Sequence, residues 1–225
     1  MESVIVQSEA GVTLAGGGRF GAGLLARARA LAPRLVAADG GADRLLALGA
    51  EPEAVIGDFD SVSAAARARL AGRLHVIGEQ VTTDFDKALR SIAAPFVLGL
   101  GFAGQRLDHG LAVLNALAAH PDRRCLLLSG SDVTFLAPEI LALDLAVGSR
   151  LSLFPMAAVE GESQGLRWPL QGLRFAPDGM IGTSNEVSGP VRLRFSARKM
   201  LVILPLAALP AALAGLGVPP DVRGG

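Results

Sequence analysis

Asp58 and Asp60, in the run Gly57-Asp58-Phe59-Asp60-Ser61, are hard-oxygen ligands two residues apart, a pairing suited to a divalent cation. The run closes an apolar segment, Ala54 to Gly57, and three more segments end in the same manner. Asp39-Gly40-Gly41 follows Arg34 to Ala38. Glu79, Gln80 and Thr82-Thr83-Asp84 follow the segment ending near Ile77, while Gly101, Gly104, Arg106, Asp108 and His109 follow the one ending near Leu100. In an open α/β sheet the ligand lies beyond the carboxyl ends of the strands, where these residues would gather. Asp39, Asp58, Asp60, Asp84 and Asp108 so close together repel one another unless a cation holds them. Mg²⁺ is the expected ion, since it takes one or two carboxylates together with waters and phosphate oxygens. On an extended strand tip Asp58 and Asp60 would face one ion, with Phe59 turned into the core.

The glycines supply the complementary chemistry. Gly40-Gly41 opening one helix, and Gly101 with Gly104 opening another, present backbone N–H groups to phosphate. Arg106 adds a planar fork for phosphate oxygens. Plain structural roles stand beside these. Asp39 and Asp84 precede helical patterns and fit an N-cap; Asp86 and Lys87 fit a solvated helix face; His109 fits a satisfied, partly buried histidine. Recurrence at four successive strand ends favours a ligand site over capping. Gly16-Gly17-Gly18-Arg19-Phe20-Gly21 matches the dinucleotide spacing G-x-G-x-x-G. Three consecutive glycines match it easily, and the polar stretch Ser8 to Thr13 separates them from the first expected strand, so the match is read as a decoy. No P-loop lysine follows a glycine run, and cysteine and histidine are too few for a zinc or thiol centre.

Six strands are expected to carry these residues: Ser3 to Gln7, Arg34 to Ala38, Ala54 to Gly57, Leu74 to Ile77, Phe96 to Gly99 and Cys125 to Ser129. Helical spacing separates them over Leu24 to Leu31, Ala42 to Leu48, Ala64 to Leu70, Phe85 to Ile92 and Leu107 to Ala118. Near-continuous apolar strands alternating with helices indicate an α/β domain, a three-layer Rossmann-like parallel sheet, over 1–135. From Val133 the apolar runs shorten and turn signals crowd in, as at Pro177-Asp178-Gly179 and Ser188-Gly189-Pro190. Residues 136–225 therefore read as an antiparallel β-sandwich or barrel, with Pro219 to Gly225 a frayed tail.

With 21 basic and 21 acidic residues among 225, the chain has no electrostatic footprint for nucleic acid or an anionic membrane. The partner expected is a small molecule or another copy. Cys125 is the lone cysteine, which fits a reducing cytoplasm, and Met1 to Ala10 lacks the pattern of a signal peptide. Two prolines interrupt the apolar run Leu201 to Leu213, where a membrane span needs about 20 continuous apolar residues.

Ala38-Asp39-Gly40-Gly41-Ala42, Gly57-Asp58-Phe59-Asp60-Ser61, Thr83-Asp84-Phe85-Asp86-Lys87-Ala88-Leu89 and Arg106-Leu107-Asp108-His109 resemble the thiamine pyrophosphokinase family in order and spacing. Gly165-Leu166-Arg167-Trp168-Pro169-Leu170 resembles that family's Gly-Leu-x-Trp-x-Leu segment, and Gly182-Thr183-Ser184-Asn185-Glu186 its Ser-Asn turn. The likeness runs from about residue 35 to 204. It departs at Gln105, where a second glycine is usual, and at Val113, where an asparagine is usual. The first 30 residues match poorly.

The resemblance implies an α/β domain, a β-sandwich and a homodimer with active sites in clefts between subunits. It implies transfer of diphosphate from ATP to the hydroxyethyl oxygen of thiamine, giving thiamine diphosphate and AMP. Asp58, Asp60 and Asp84 would hold Mg²⁺ and the triphosphate. Asp39, Gln80, Arg106 and Asp108 would line the same cleft, with Thr83, Lys87 and His109 in the nucleotide-facing motifs. Trp168 would offer its face to thiamine's rings, and Ser184 and Asn185 would contact the vitamin. Two alternatives keep part of this reading: a diphosphokinase for another hydroxymethyl acceptor such as a pterin, and a thiamine- or nucleotide-binding module without turnover.

Overall fold

The computed structural model describes residues 4–104 and 106–219. The chain is mixed α/β and divides into two compact units, one of residues 4–116 with 127–130, the other of 117–126 with 131–219.

The first unit runs β1 (Val6–Gln7), β2 (Val12–Ala15), α1 (Ala22–Leu31), β3 (Arg34–Ala38), α2 (Gly41–Ala47), β4 (Ala54–Gly57), α3 (Ala64–Arg69) and β5 (Leu74–Val76). It continues with α4 (Asp84–Arg90), β6 (Ile92–Ala93), β7 (Val97–Leu100), α5 (Leu107–Ala119), whose residues 117–119 fall in the second unit, and the last two residues of β8 (Cys125–Leu128). The sheet order is β8-β7-β2-β3-β4-β5, and β2, β3, β4, β5 and β7 pair in parallel register. β2, β4, β7 and β8 are buried along their whole length, as strands covered on both faces must be. From β2 the chain winds through β3, β4 and β5 in one direction, then returns to β7 on the other side of β2. The topological switch point therefore lies between the carboxyl ends of β2 and β7.

That order corrects the expected first strand. β1 pairs only with β6, in a separate two-stranded sheet, while β2 is a central strand of the main sheet. β2 was hidden by its polar letters. Thr13 is fully buried, and its hydroxyl donates to Ala32 O at 2.7 Å, so the strand contains a polar residue at no cost in unpaired groups. Gly11 is equally constrained, since a Cβ there would lie 2.3 Å from the Phe96 ring.

The second unit contains β9 (Asp132–Leu136), β10 (Ile140–Leu143), β11 (Arg150–Pro155), β12 (Val159–Leu166), β13 (Arg174–Phe175), β14 (Gly182–Phe195), β15 (Met200–Pro205) and α6 (Leu209–Gly215). Among the described residues β10, β11 and β12 pair antiparallel with β14, β11 and β9 with β15, and β12 with β13. β14 serves two ladders. Its first part pairs with β11, through Leu151 opposite Asn185, and its second part lies between β10 and β12, with Leu193 opposite both Leu141 and Ser163. β12 alternates buried and exposed residues until Gly165, where the register shifts. Gly165 has φ +73°, and a Cβ would meet Pro190 O at 2.2 Å, so only glycine fits this bulge. The apolar run near the C-terminus becomes β15 and α6. Among the described residues no helix is long and apolar enough to cross a membrane.

Candidate active site

The acidic loop follows β4 directly. Gly57 lies at φ +157°, and a Cβ there would come within 3.1 Å of both Asp39 Cβ and Asp84 Oδ1. Two other acidic residues thus converge on this one glycine. Phe59 turns into the core as expected, but it does so in the left-handed region, at φ +67° and 5% exposed. The loop is therefore a turn and not an extended tip, and the simple alternation argument for Asp58 and Asp60 does not hold. Local hydrogen bonds set the carboxylates instead. Asp60 N donates to Asp58 Oδ1 at 3.3 Å, and Ser61 Oγ to Asp60 Oδ1 at 2.8 Å. Arg67, one turn into α3, fastens the loop from outside by donating to Phe59 O and to Val62 O.

Asp39 approaches from the end of β3 with φ +43°, so it is no helix cap; Gly40 holds that position for α2. Its Oδ2 accepts from Ser61 N at 3.2 Å, while its buried Oδ1 has no partner. Burial raises the Asp39 pKa. The Gly40 N–H and the Ser61 hydroxyl oppose that rise, and the charges of Asp84 and Asp60 add to it. Oxygen atoms of Asp39, Asp58 and Asp60 lie within 4.8 Å of one another. An orphaned buried carboxylate oxygen beside two further carboxylates is the donor set a hard divalent cation requires, so the residues fit Mg²⁺. Asp39 thus joins Asp58 and Asp60 in this group, and Asp84 is linked to it through Lys87.

Asp84 opens α4, where Thr83 accepts from Asp86 N at 3.3 Å and is the cap. Lys87 overturns the solvated-face reading of this helix. It is 1% exposed, and its Nζ donates to Asp58 Oδ2 at 3.1 Å and to Asp84 Oδ1 at 3.0 Å. Burial works against the ammonium, yet the hydrogen bonds to Asp84 and Asp58 prevail and raise its pKa above 10.5. The same contact, chiefly the Lys87 hydrogen bond, holds the Asp58 carboxyl below its usual range. Gln80 adds a second donor to Asp58 Oδ2 at 3.1 Å.

Beside the carboxylates, at the switch point, is a cavity of about 310 Å³. Gly16, Gly17, Gly18 and Gly101 form one wall, Phe85 and Phe102 another, and Asp39, Thr83, Asp84, Arg106 and His109 the polar rim. The glycines rejected as a decoy therefore line the site. They are required for close approach: a Cβ on Gly18 would lie 2.4 Å from Gly101 O, and one on Gly41 would lie 2.0 Å from Ala15 O. Gly16 N and Gly18 N bond to Leu100 O and Gly101 O at 2.8 and 3.0 Å, tying the two loops together. Gly101 at φ +73° completes the turn. The run Val12 to Ala15 directly before the triple glycine was the signal that could have found it.

Arg106 and Asp108 flank the start of α5 as an exposed bidentate pair, Nε to Oδ1 at 3.1 Å and Nη2 to Oδ2 at 2.6 Å. Arg106 holds the Asp108 carboxyl down to about 2. His109 is exposed and not partly buried. Gly104, at φ +106°, lies in the same loop with open space around it, and Gln105 lies outside the described residues. Cys125 is inert, its thiol pushed up to about 12 by burial.

In the second unit a cavity of about 170 Å³ is lined by Trp168, Leu170, Phe175, Met180, Thr183 and Asn185, among others. Trp168 is 52% exposed, with the Arg167 guanidinium 4.9 Å from its ring centre. Asn185 is buried, with both ends of its amide bonded. Its Oδ1 accepts from Trp168 N at 3.2 Å and Glu186 N at 2.8 Å, and its Nδ2 donates to Trp168 O at 2.7 Å. Asn185 therefore holds the tryptophan segment in place. Ser184 is exposed at φ +63°, its N–H bound to Ser152 Oγ at 2.9 Å. A larger groove of about 610 Å³ elsewhere on this unit holds Glu160 and Arg174, which pair with each other at 3.2 Å, and it lacks a comparable buried carboxylate cluster.

Fold and site together define an α/β protein with an acidic, glycine-walled centre at the carboxyl ends of a parallel sheet, carrying an antiparallel β unit with an aromatic pocket. The thiamin pyrophosphokinase catalytic-domain family matches residues 26–127, and the thiamin pyrophosphokinase vitamin B1 binding-domain family matches 140–201. The chain belongs to the thiamin pyrophosphokinase family. It is 29% identical over 190 residues to thiamine pyrophosphokinase 1 of Oryza sativa subsp. japonica, covering 68% of this chain and 71% of that one. It is 30% identical over 157 residues to thiamine pyrophosphokinase 3 of the same organism, covering 61% of this chain and 59% of the relative. Thiamin pyrophosphokinase from Candida albicans shares the fold, with a TM-score of 0.72 at 16% identity over 89% of this chain and 91% of that one. The catalytic-domain match begins after Gly16 to Gly18, so the place of those three glycines in the wall comes from the structure alone.

Proposed function

We propose that the chain is an ATP:thiamine diphosphotransferase, giving thiamine diphosphate and AMP. The observation that carries this reading is the convergence of Asp39, Asp58, Asp60, Asp84 and Lys87 beside a glycine-walled cavity at the switch point. Such a site suits a polyphosphate.

Asp39, Asp58 and Asp60 would hold Mg²⁺, and Asp84 stands beside them. The ion, when bound, neutralises charge that develops on the phosphates. The close-packed Gly16 to Gly18 and Gly101 let the nucleotide approach the backbone, with Gly40 and Gly41 next to them. Arg106 can turn from Asp108 to phosphate, since both are exposed. The thiamine hydroxyl oxygen forms a bond to the β-phosphorus, the bond from that phosphorus to the α,β-bridging oxygen breaks, and AMP leaves. Positioning and charge neutralisation supply most of the rate in such transfers. The hydroxyl proton passes to a carboxylate. Asp84, which lines the cavity, and Asp108, once Arg106 turns to phosphate, are the two candidates.

Trp168 offers its open face to the cationic thiazolium, a contact worth about 0.5–2 kcal/mol. Thr183 lines that pocket, Ser184 follows it on β14 with its side chain exposed, and Asn185 orients the tryptophan segment. The parallel order of the first unit supports a Rossmann-like three-layer domain, and the two ladders sharing β14 support a β-sandwich. We include a homodimer and a cytoplasmic setting in this reading, the first from the family resemblance and the second from ATP as donor. An assay of AMP release with Mg²⁺ and ATP, run with thiamine, with a hydroxymethyl pterin and with neither, tests it. Release with thiamine is expected; release only with the pterin overturns the acceptor, and release with neither overturns the activity.

A further inference from the structure

Lys87 is the most deeply buried charged side chain the structure describes. Its place in the acidic centre differs in kind from that of the other cation there. Arg106 is exposed and can swing. Lys87 is enclosed at 1% exposed, on a backbone held in α4 by its N–H bond to Thr83 O at 2.9 Å and by Ser91 Oγ donating to its carbonyl at 2.7 Å. The ammonium is thus a fixed charge, 3.1 Å from Asp58 and 3.0 Å from Asp84.

Asp58 is shared. One of its oxygens faces Lys87, and the residue also belongs to the Asp39–Asp58–Asp60 group. A carboxylate bridging two cation positions about 3.5–4 Å apart is the arrangement of two-metal phosphoryl-transfer sites. Here a covalently tethered ammonium already occupies one of the two positions. Four carboxylates, on Asp39, Asp58, Asp60 and Asp84, therefore meet one built-in positive charge before any ion arrives. Burial makes that charge effective, because removing one member of a buried pair leaves the other uncompensated.

We propose that Lys87 is a positioning residue that substitutes for a second metal ion: it fixes Asp58 and Asp84, and restricts the site to one divalent cation at Asp39, Asp58 and Asp60. This rests on the metal-binding reading above, and the test separates the two.

The experiment counts Mn²⁺ bound to the full chain without nucleotide, by electron paramagnetic resonance of the free ion, with a thermal melt in parallel. Wild type is expected to bind one Mn²⁺ per chain. Lys87→Met keeps the apolar stem and removes the charge. It should bind two ions and gain more in melting temperature from Mn²⁺ than wild type does. The double variant Asp84→Asn with Lys87→Met removes one charge of each sign. It should return to one ion and melt above the single variant in chelator, a comparison that holds even if the single variant is largely unfolded. A wild type that binds no Mn²⁺ contradicts the metal reading itself. A wild type that binds one ion beside a folded Lys87→Met that binds one or none contradicts only the role of Lys87. So does a double variant no more stable than the single one.

Discussion

Asp39 accepts a hydrogen bond from Ser61 N of the acidic loop at its Oδ2, at 3.2 Å, and its other oxygen is buried without a partner. A group so placed is more stable neutral than charged, and its pKa is accordingly raised above 3.8. The fold therefore bears a cost at neutral pH that disappears on protonation. Asp39→Asn should raise the melting temperature of the unliganded protein by about 2–4 °C, equivalent to about 1 kcal/mol. It should also lower kcat by about 10²-fold or more, since a charged ligand to the ion that neutralises the reacting phosphates is lost. Melts in chelator, paired with turnover, test this trade; a lower melting temperature contradicts it.

Asp60 is exposed and packs against nothing in the core. Asp60→Asn should abolish turnover and leave the circular dichroism spectrum and melt unchanged. Near-normal activity would refute its metal assignment.

Gly18→Ala tests the glycine wall. The new methyl would lie 2.4 Å from Gly101 O, a backbone atom that cannot turn aside. The two loops must part, at about 1–3 kcal/mol by analogy with other overpacked sites. The KM for ATP should rise with little change in the KM for thiamine. An equal rise in both would place the loop outside the nucleotide site.

Asn185→Ala leaves the Trp168 N–H and C=O without their partners, at about 1–3 kcal/mol. The tryptophan should become mobile, with lower fluorescence anisotropy and a raised KM for thiamine, while the KM for ATP holds. Unchanged anisotropy would show that Trp168 is held by other means.

Stability should also report the Lys87–Asp58 pair. The Asp58 pKa is lowered in the fold, chiefly by Lys87, so the folded chain binds fewer protons than the unfolded chain below the usual carboxylate range. Its stabilisation is complete above about pH 4 and is lost as pH falls through the lower folded value. Wild type should therefore lose stability on acidification below about pH 4, and Lys87→Met should lose less over the same interval. Parallel slopes for the two proteins would show that Lys87 does not set the Asp58 ionisation.

Much of the α/β unit was legible because its strands are continuous apolar runs: β3 and β4 were read to the residue, and β5, β7 and β8 to within one or two. The strand that mattered most for the site was not. β2 contains a threonine whose hydroxyl is satisfied across the chain by Ala32, a partner that only the fold supplies. With β2 hidden, the glycines after it looked unanchored. The aspartates were found because they recur at strand ends. Their division of labour was not, since it depends on the left-handed turns at Asp39 and Phe59 and on burial of Lys87, which no periodicity in a seven-residue helix reveals. Asn185 was located, but its bonds back onto Trp168 were not, because a side chain turned onto Trp168 and one turned toward a ligand have the same sequence.

The most direct test of the central claim is product analysis after incubation with thiamine, ATP and Mg²⁺. Transfer of the terminal diphosphate predicts AMP and thiamine diphosphate in equal amounts, with no ADP and no thiamine monophosphate, and none of these products with Asp60→Asn. ADP with thiamine monophosphate, or AMP formed without thiamine diphosphate, would contradict it.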